Sequence, residues 1–275
     1  MADRPAPLEY NRRLPMRLWL FGVFFFLYAP LITLMAFSFN DSKRNIVWHG
    51  FTFKYYEKLF QNDELILAFA NSLTIALITT AISVVLGALA AVMLWRFRFK
   101  FKGIVEGVMA LPIVVPEICM GVAMLVFFSR VMPWPNYLPW PFSLGAIIIA
   151  HVSFCFPFVT MVVRARLASF NKEQEEAARD LGASDWQAFR DVLLPHMTPA
   201  LIAGALLSFT LSLDDFVITF FTSGPNTVTF PVKVYSMVRF SVTPEVNAAS
   251  TMLIVLTVAL MVLMMLGQRK TTQPK

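Results

Sequence analysis

The chain has 275 residues, of which 57% are hydrophobic and 15% charged, with a formal net charge of +6. A soluble domain runs near 45–50% apolar and about 25% charged, so one large water-soluble core is excluded. The apolar residues come in long runs, and the positive balance reads as basic loops beside a membrane rather than a nucleic-acid surface, because no basic stripe interleaved with aromatics lies on a polar surface. The two cysteines, Cys119 and Cys155, sit inside apolar runs with no metal-type spacing. They read as small buried hydrophobes.

Six spans are predicted in chain order. The first, 18–39, follows Arg12, Arg13 and Arg17. It is too long for a signal-peptide apolar region and has no small-residue cleavage pattern, so it reads as an uncleaved span. The outer segment 40–66 predicts a short surface helix near YYEKLF. The second span is 67–94. The third, 104–129, contains LPIVVPEICMG, where Pro112 and Pro116 mark a hinge or gate. The proline- and tryptophan-rich 132–141 reads as a rigid interfacial segment. The fourth span is 143–163, the fifth 199–221 and the sixth 246–267. Each approaches or exceeds the about 20 residues that cross about 30 Å of hydrocarbon. Lipid offers no partner for backbone N–H and C=O, so each is expected to be a helix.

Sixteen of the 23 Lys and Arg fall on the N-terminal tail, the 95–103 loop, the 164–198 loop and the C-terminal tail. That asymmetry predicts both termini in the cytoplasm.

The 164–198 loop interrupts the oil with EEAARDLGASDWQAFRDVLLP. Asn171 with Gln174 predicts a weak capping box, and Gly182 a left-handed corner. Ser184 with Gln187 predicts a second box, and Pro195 a stop. Thr198-Pro199 then predicts the start of span five. A folded, mixed-charge loop reads either as a solvated hairpin or as a docking surface.

Three acidic residues look deep within the predicted spans: Glu117, Asp214 and Asp215. A carboxylate at a span centre costs about 2.5–3.5 kcal/mol on the insertion scale. They read either as lining a cation path or as local structure, with Asp214 or Asp215 capping a broken helix or bonding Ser212 or Thr210. His151 reads as a helix-packing hydrogen bonder. His49, His151 and His196 fall in an outer loop, a span and an inner loop. Without a histidine or acidic cluster at a membrane face, a membrane-embedded enzyme is disfavoured.

Glu176-Ala177-Ala178, then three residues, Gly182, nine residues, and Val192-x-Leu194-Pro195 resembles the EAA motif of ABC importer permeases, departing only by Val for Ile. Further stretches resemble the second permease subunit of spermidine/putrescine importers: NSLTIA, AHVSFCFPF, SFTLSLDDFV and YSMVRFSVTPEVNA among them. The resemblance covers about 18–268. It implies an all-α, six-span type I ABC importer permease of the bacterial inner membrane. Residues 1–17 would be a cytoplasmic tail and 18–66 the first span with its periplasmic loop. Residues 67–267 would form the permease core around loop 164–198, and 268–275 a second tail. It implies that Glu176, Ala177, Ala178, Asp180, Gly182, Leu194 and Pro195 couple to an ATPase. The chain has no G-x4-GK-[ST] phosphate loop, so the expectation is no cofactor here and ATP with Mg on the partner. The implied partners are two ATPase copies, a homologous permease, a periplasmic or extracellular binding protein, a cationic small molecule and membrane lipid. Polyamines carry several amines of pKa near 10 and fit the acidic residues. Ferric ion or a thiamine-like amine is the alternative cargo.

Overall fold

The computed structural model describes residues 14–42, 47–131, 143–240 and 244–271. Arg4, Arg12, Arg13, Lys43, Arg44 and Lys275, and the proline- and tryptophan-rich 132–141, lie outside them. The described residues form helices α1 Leu14–Phe37, α2 Lys54–Phe60, α3 Asp63–Arg96, α4 Lys102–Val114, α5 Glu117–Val126, α6 Leu144–Leu167, α7 Glu173–Asp180, α8 Asp185–Ala188, α9 Leu194–Leu213, α10 Val217–Thr222, α11 Phe230–Phe240 and α12 Pro244–Thr271. Two π-helical turns, Phe127–Val131 and Phe189–Leu193, extend α5 and join α8 to α9. Among the described residues the only extended pairing is the bridge Asn40–Phe51.

Five helices are long and apolar enough to cross a bilayer, and the bent pair α4–α5 makes a sixth. The six predicted spans are therefore present, with two corrections. Span three is not one rod: its halves meet at 108°. Val115 is extended (φ −72°, ψ 133°), because the residue before a proline is pushed out of the helical region. Span five does not begin at Thr198-Pro199 and does not run to 221. The helix entered at Asp185 continues through the π turn to Leu213. The Thr198 hydroxyl bonds back to the Leu194 carbonyl at 2.9 Å instead of capping. The ring of Pro195 would crowd the carbonyl four residues earlier, Asp191, and the π turn widens the helix there.

The chain divides into two compact units. The first comprises residues 1–62 and 237–255. Asn40 organises its loop: Nδ2 donates to the Val47 carbonyl at 2.8 Å and Oδ1 accepts from His49 N at 2.8 Å. Phe39 gathers Phe51, Phe53 and Tyr56 at ring separations of 5.1–5.5 Å. The predicted YYEKLF helix is α2, tied to α12 by Lys58 and Glu245 at 3.0 Å. The apolar stretch of α1 has none of its residues buried, as suits a helix covered by lipid or by another subunit.

The second unit, 63–236 and 256–275, holds the packed core of α3, α6 and α9. Ser143 caps α6, its hydroxyl accepting from Ala146 N at 3.3 Å. Close approach is set by small residues. A Cβ at Gly87 would stand 2.7 Å from Val159 Cβ, and one at Gly204 3.0 Å from Val159 Cγ1. Val159 thus wedges into glycine notches on both neighbours. Below it Val163, Leu167, Leu193 and Met197 complete the buried cluster. Without hydrophobic drive between helices in lipid, such van der Waals fit is what association rests on. Of the two cysteines only Cys155 is buried; Cys119 is exposed on α5, correcting the expectation for it.

Candidate functional site

The 164–198 loop folds as helix, corner, helix. Asn171 starts it with a tight local turn, Oδ1 accepting from Glu173 N and Nδ2 donating to Glu173 Oε2, both at 3.0 Å. The expected reciprocal box with Gln174 is not formed, because Glu173 takes the Asn171 side chain first. α7 ends in a Schellman motif: Ala183 N donates to Ala178 O at 3.0 Å and Gly182 N to Arg179 O at 2.8 Å. This requires the left-handed backbone of Gly182, φ +91°. The Ser184–Gln187 box is complete, with Gln187 N donating to Ser184 Oγ at 3.3 Å and Ser184 N to Gln187 Oε1 at 2.7 Å.

This geometry sorts the motif residues by face. Glu176, Ala177, Asp180 and Gly182 are exposed, and Ala178 is half-buried. Far along the second helix Leu194 is half-buried and Pro195 exposed, while Leu193 between the motif positions is core. Two apolar side chains the sequence reading passed over stand beside the outward face. Leu181 is 90% exposed and Trp186 65% exposed, the latter stacked on Phe189 at 5.5 Å. Their signal was available: a leucine and a tryptophan on an otherwise polar loop have no core to enter. Glu175 was also missed. It is buried and accepts from Arg96 and Arg179 at 2.9 and 2.8 Å.

The acidic residues of the spans separate in the structure. Asp215 is buried. It accepts from Thr219 N and Thr219 Oγ1 at 2.8 Å each and from Ile218 N at 3.3 Å, and its Oδ2 lies 3.3 Å from His151 Nε2. The His151 ring also bonds Ser212 Oγ at 2.8 Å and Thr219 Oγ1 at 2.9 Å. Asp215 therefore caps α10 where the span breaks, and its oxygens are occupied. His151 is the packing hydrogen bonder expected of it. The Thr210 carbonyl accepts from Asp214 N at 3.2 Å, and the Asp214 side chain is exposed.

Glu117, the first residue of α5, is exposed as well, and Asp214 lies within electrostatic reach of both Glu117 and Asp215. α5 seats on α10 through Gly121, where a Cβ would meet Phe221 Cδ2 at 2.6 Å. Two broken spans thus bring their breaks, with Glu117 and Asp214, to one region. Next to Asp214 along the chain, Phe216 packs on Tyr235 at 4.6 Å and on Phe220 at 5.5 Å, and Phe220 meets Tyr235 at 6.3 Å. Phe220 and Tyr235 are about half exposed. Half-exposed aromatic faces two to six residues along the chain from an exposed carboxylate are groups that suit an organic cation. Among the described residues no group of His, Cys, Asp and Glu could hold a metal ion.

Comparison with known proteins gives this arrangement its context. Residues 83–271 match the family described as binding-protein-dependent transport system inner membrane component. The chain is 41% identical over 254 residues to the spermidine/putrescine transport system permease protein PotC of Haemophilus influenzae, covering 92% of this chain and 95% of that protein. It is 41% identical over 234 residues to the putrescine transport system permease protein PotI of Escherichia coli K12, covering 84% and 82%. Its fold matches a chain in the crystal structure of a bacterial ABC transporter that imports the acidic polysaccharide alginate, with TM-score 0.76 and 19% identity over 97% of this chain and 96% of that one. The chain is a multi-pass membrane protein with the type I ABC importer permease fold, and it belongs to the family of inner-membrane components of binding-protein-dependent transport systems.

Proposed function

We infer that this chain is a transport subunit, not an enzyme, of an ATP-driven importer of polyamines in a bacterial inner membrane. The observation that carries the substrate is the 41% identity, over nine-tenths of both chains, to a spermidine/putrescine permease. The exposed Asp214, two residues along the chain from the Phe216 ring and in electrostatic reach of Glu117, supports it. A protonated amine gains both charge pairing and cation–π contact there.

The Lys and Arg asymmetry supports both termini in the cytoplasm, with loop 164–198 on the same side. In that orientation the exposed face of α7 and its corner (Glu176, Ala177, Asp180, Leu181, Gly182), with the half-buried Ala178 and with Trp186 of α8, is the docking surface for an ATPase subunit. Leu194 and Pro195 continue the docking element into the fifth span. The complex has a second, homologous permease, two ATPase copies that bind ATP and Mg, and an outer binding protein that delivers the cargo. Transport proceeds by alternating access, the ATPases biasing two global states.

The test is uptake of labelled spermidine and putrescine by a strain carrying the complete complex. Competition by unlabelled polyamine but not by ferric ion or thiamine is expected. Competition by ferric ion alone would reassign the cargo.

A further inference from the structure

The last two residues of α3 meet the 164–198 loop. Trp95 is half-buried; Phe170 meets its ring nearly edge-on at 5.8 Å, and Lys172 Nζ stands 5.1 Å from its centroid. Arg96 Nη2 donates to Glu175 Oε1 at 2.9 Å. The same oxygen accepts from Arg179 Nη2 at 2.8 Å, and Arg179 Nη2 lies 3.1 Å from Asp185 Oδ1. Glu175 has 7% of its side chain exposed, whereas Glu173, Glu176 and Asp180 on the same helix are exposed.

A helix that had only to present an outward docking face would leave all four carboxylates in water. Burying one is costly unless it is paired, and of the two arginines that pair it Arg179 lies on α7 itself while Arg96 comes from α3. The pair is therefore a constraint on where α7 sits. Its position matters because the chain joins α7 to the bundle only through two turns, at residues 169–172 and at the glycine corner at 182, and the Arg96 contact adds a third connection that does not run along the chain. Arg96 sits at the end of α3, the helix whose Gly87 receives Val159 of α6.

We propose that Glu175 is a positioning residue: through Arg96 it ties the docking helix α7 to the end of the second span, so that movement of the docking surface is delivered to α3 as well as along α8 and α9. The proposal rests on the reading of α7 as the ATPase-docking helix. It divides that helix into an outer face that binds the motor and one inner residue that passes the movement on.

The experiment uses the complete transporter with its binding protein in proteoliposomes. Three quantities are measured: ATPase subunits retained on purification, ATP hydrolysed, and polyamine carried per ATP. The variants are Glu175→Gln, Arg96→Ala, the double variant and Arg96→Lys, with Leu181→Asp as the docking control. Glu175→Gln and Arg96→Ala are expected to retain the ATPase and hydrolyse ATP while transport per ATP falls at least tenfold. The double variant is expected to be no worse than either single one, and Arg96→Lys to recover most of the loss.

Wild-type transport per ATP in both single variants overturns the proposal. So do losses that multiply in the double variant, and so does loss of the ATPase from Glu175→Gln but not from Arg96→Ala. If Glu175→Gln fails to insert, Arg96→Ala and Arg96→Lys decide the matter alone. Full ATPase retention by Leu181→Asp would instead overturn the docking reading, whatever the Glu175 variants do.

Discussion

His151 and Asp215 meet across the break in the fifth span, Nε2 to Oδ2 at 3.3 Å, with both side chains buried. The contact pins α6 to the start of α10, and its loss has a different signature from that of the neighbouring aspartate. In Asp215→Asn one oxygen becomes an NH2 group that faces a donor, either the Ile218 amide at the Oδ1 position or the Thr219 amide and hydroxyl at Oδ2. The expected cost is about 2–3 kcal/mol. It should appear as a lower melting temperature and less assembled complex, with Kd or KM for polyamine little changed in what survives. Asp214→Asn should assemble normally and take up polyamine at least tenfold less efficiently. Uptake and thermal-shift measurements on the same preparations separate the two.

Gly87 has no room for a side chain, since a Cβ would lie 2.7 Å from Val159 Cβ. Gly87→Val should force α3 from α6 and cost about 1–3 kcal/mol by overpacking. The contact at Gly204 is 3.0 Å to a methyl group that has some freedom, so Gly204→Ala should cost less. Thermal unfolding of the purified complex in detergent would rank them.

At Gly182 the obstacle is conformational rather than steric. An added Cβ meets nothing within 4 Å, but φ is +91°. Gly182→Ala should therefore do nearly as much harm as a large residue, about 1–2 kcal/mol against the corner. Gly182→Asn should be milder, because Asn tolerates the left-handed region. ATPase co-purification is the readout; tolerance of Ala with failure of Trp would show that crowding by the partner, not backbone strain, governs this position.

Leu181 and Trp186 are large apolar groups left in water by the chain alone. If they anchor the ATPase, Leu181→Ser and Trp186→Ser should each weaken its retention at least tenfold, consistent with anchors of about 2 kcal/mol or more. The yield and melting temperature of the permease itself should hardly move, since neither residue is in its core.

The apolar runs and the prolines made most of the architecture legible. Period and length mark each span, and the loop's caps at Ser184 and Gly182 are local events written in adjacent residues. What escaped depends on contacts distant in sequence. Pro195 reads as a stop, yet a π turn absorbs it because Leu193 and Met197 bury against Val159, Val163 and Leu167. Asp214 and Asp215 are identical in type and adjacent; only the arrival of His151, 64 residues away in sequence, decides which is buried. Glu175 looks like one more solvated acid in EEAA until Arg96 reaches it.

The uninterrupted passage from Asp185 to Leu213 gives the chain a lever. Its 29 residues span about 43 Å at about 1.5 Å rise each. One arm ends at the Gly182 corner and the other at the carboxylate of Asp214. Pivoting near its midpoint, a tilt of about 5° would sweep each tip through about 2 Å, the scale of helix shift that switches packed interfaces. A nudge at the Gly182 corner would then reach Asp214 without any relay of side-chain rearrangements between them.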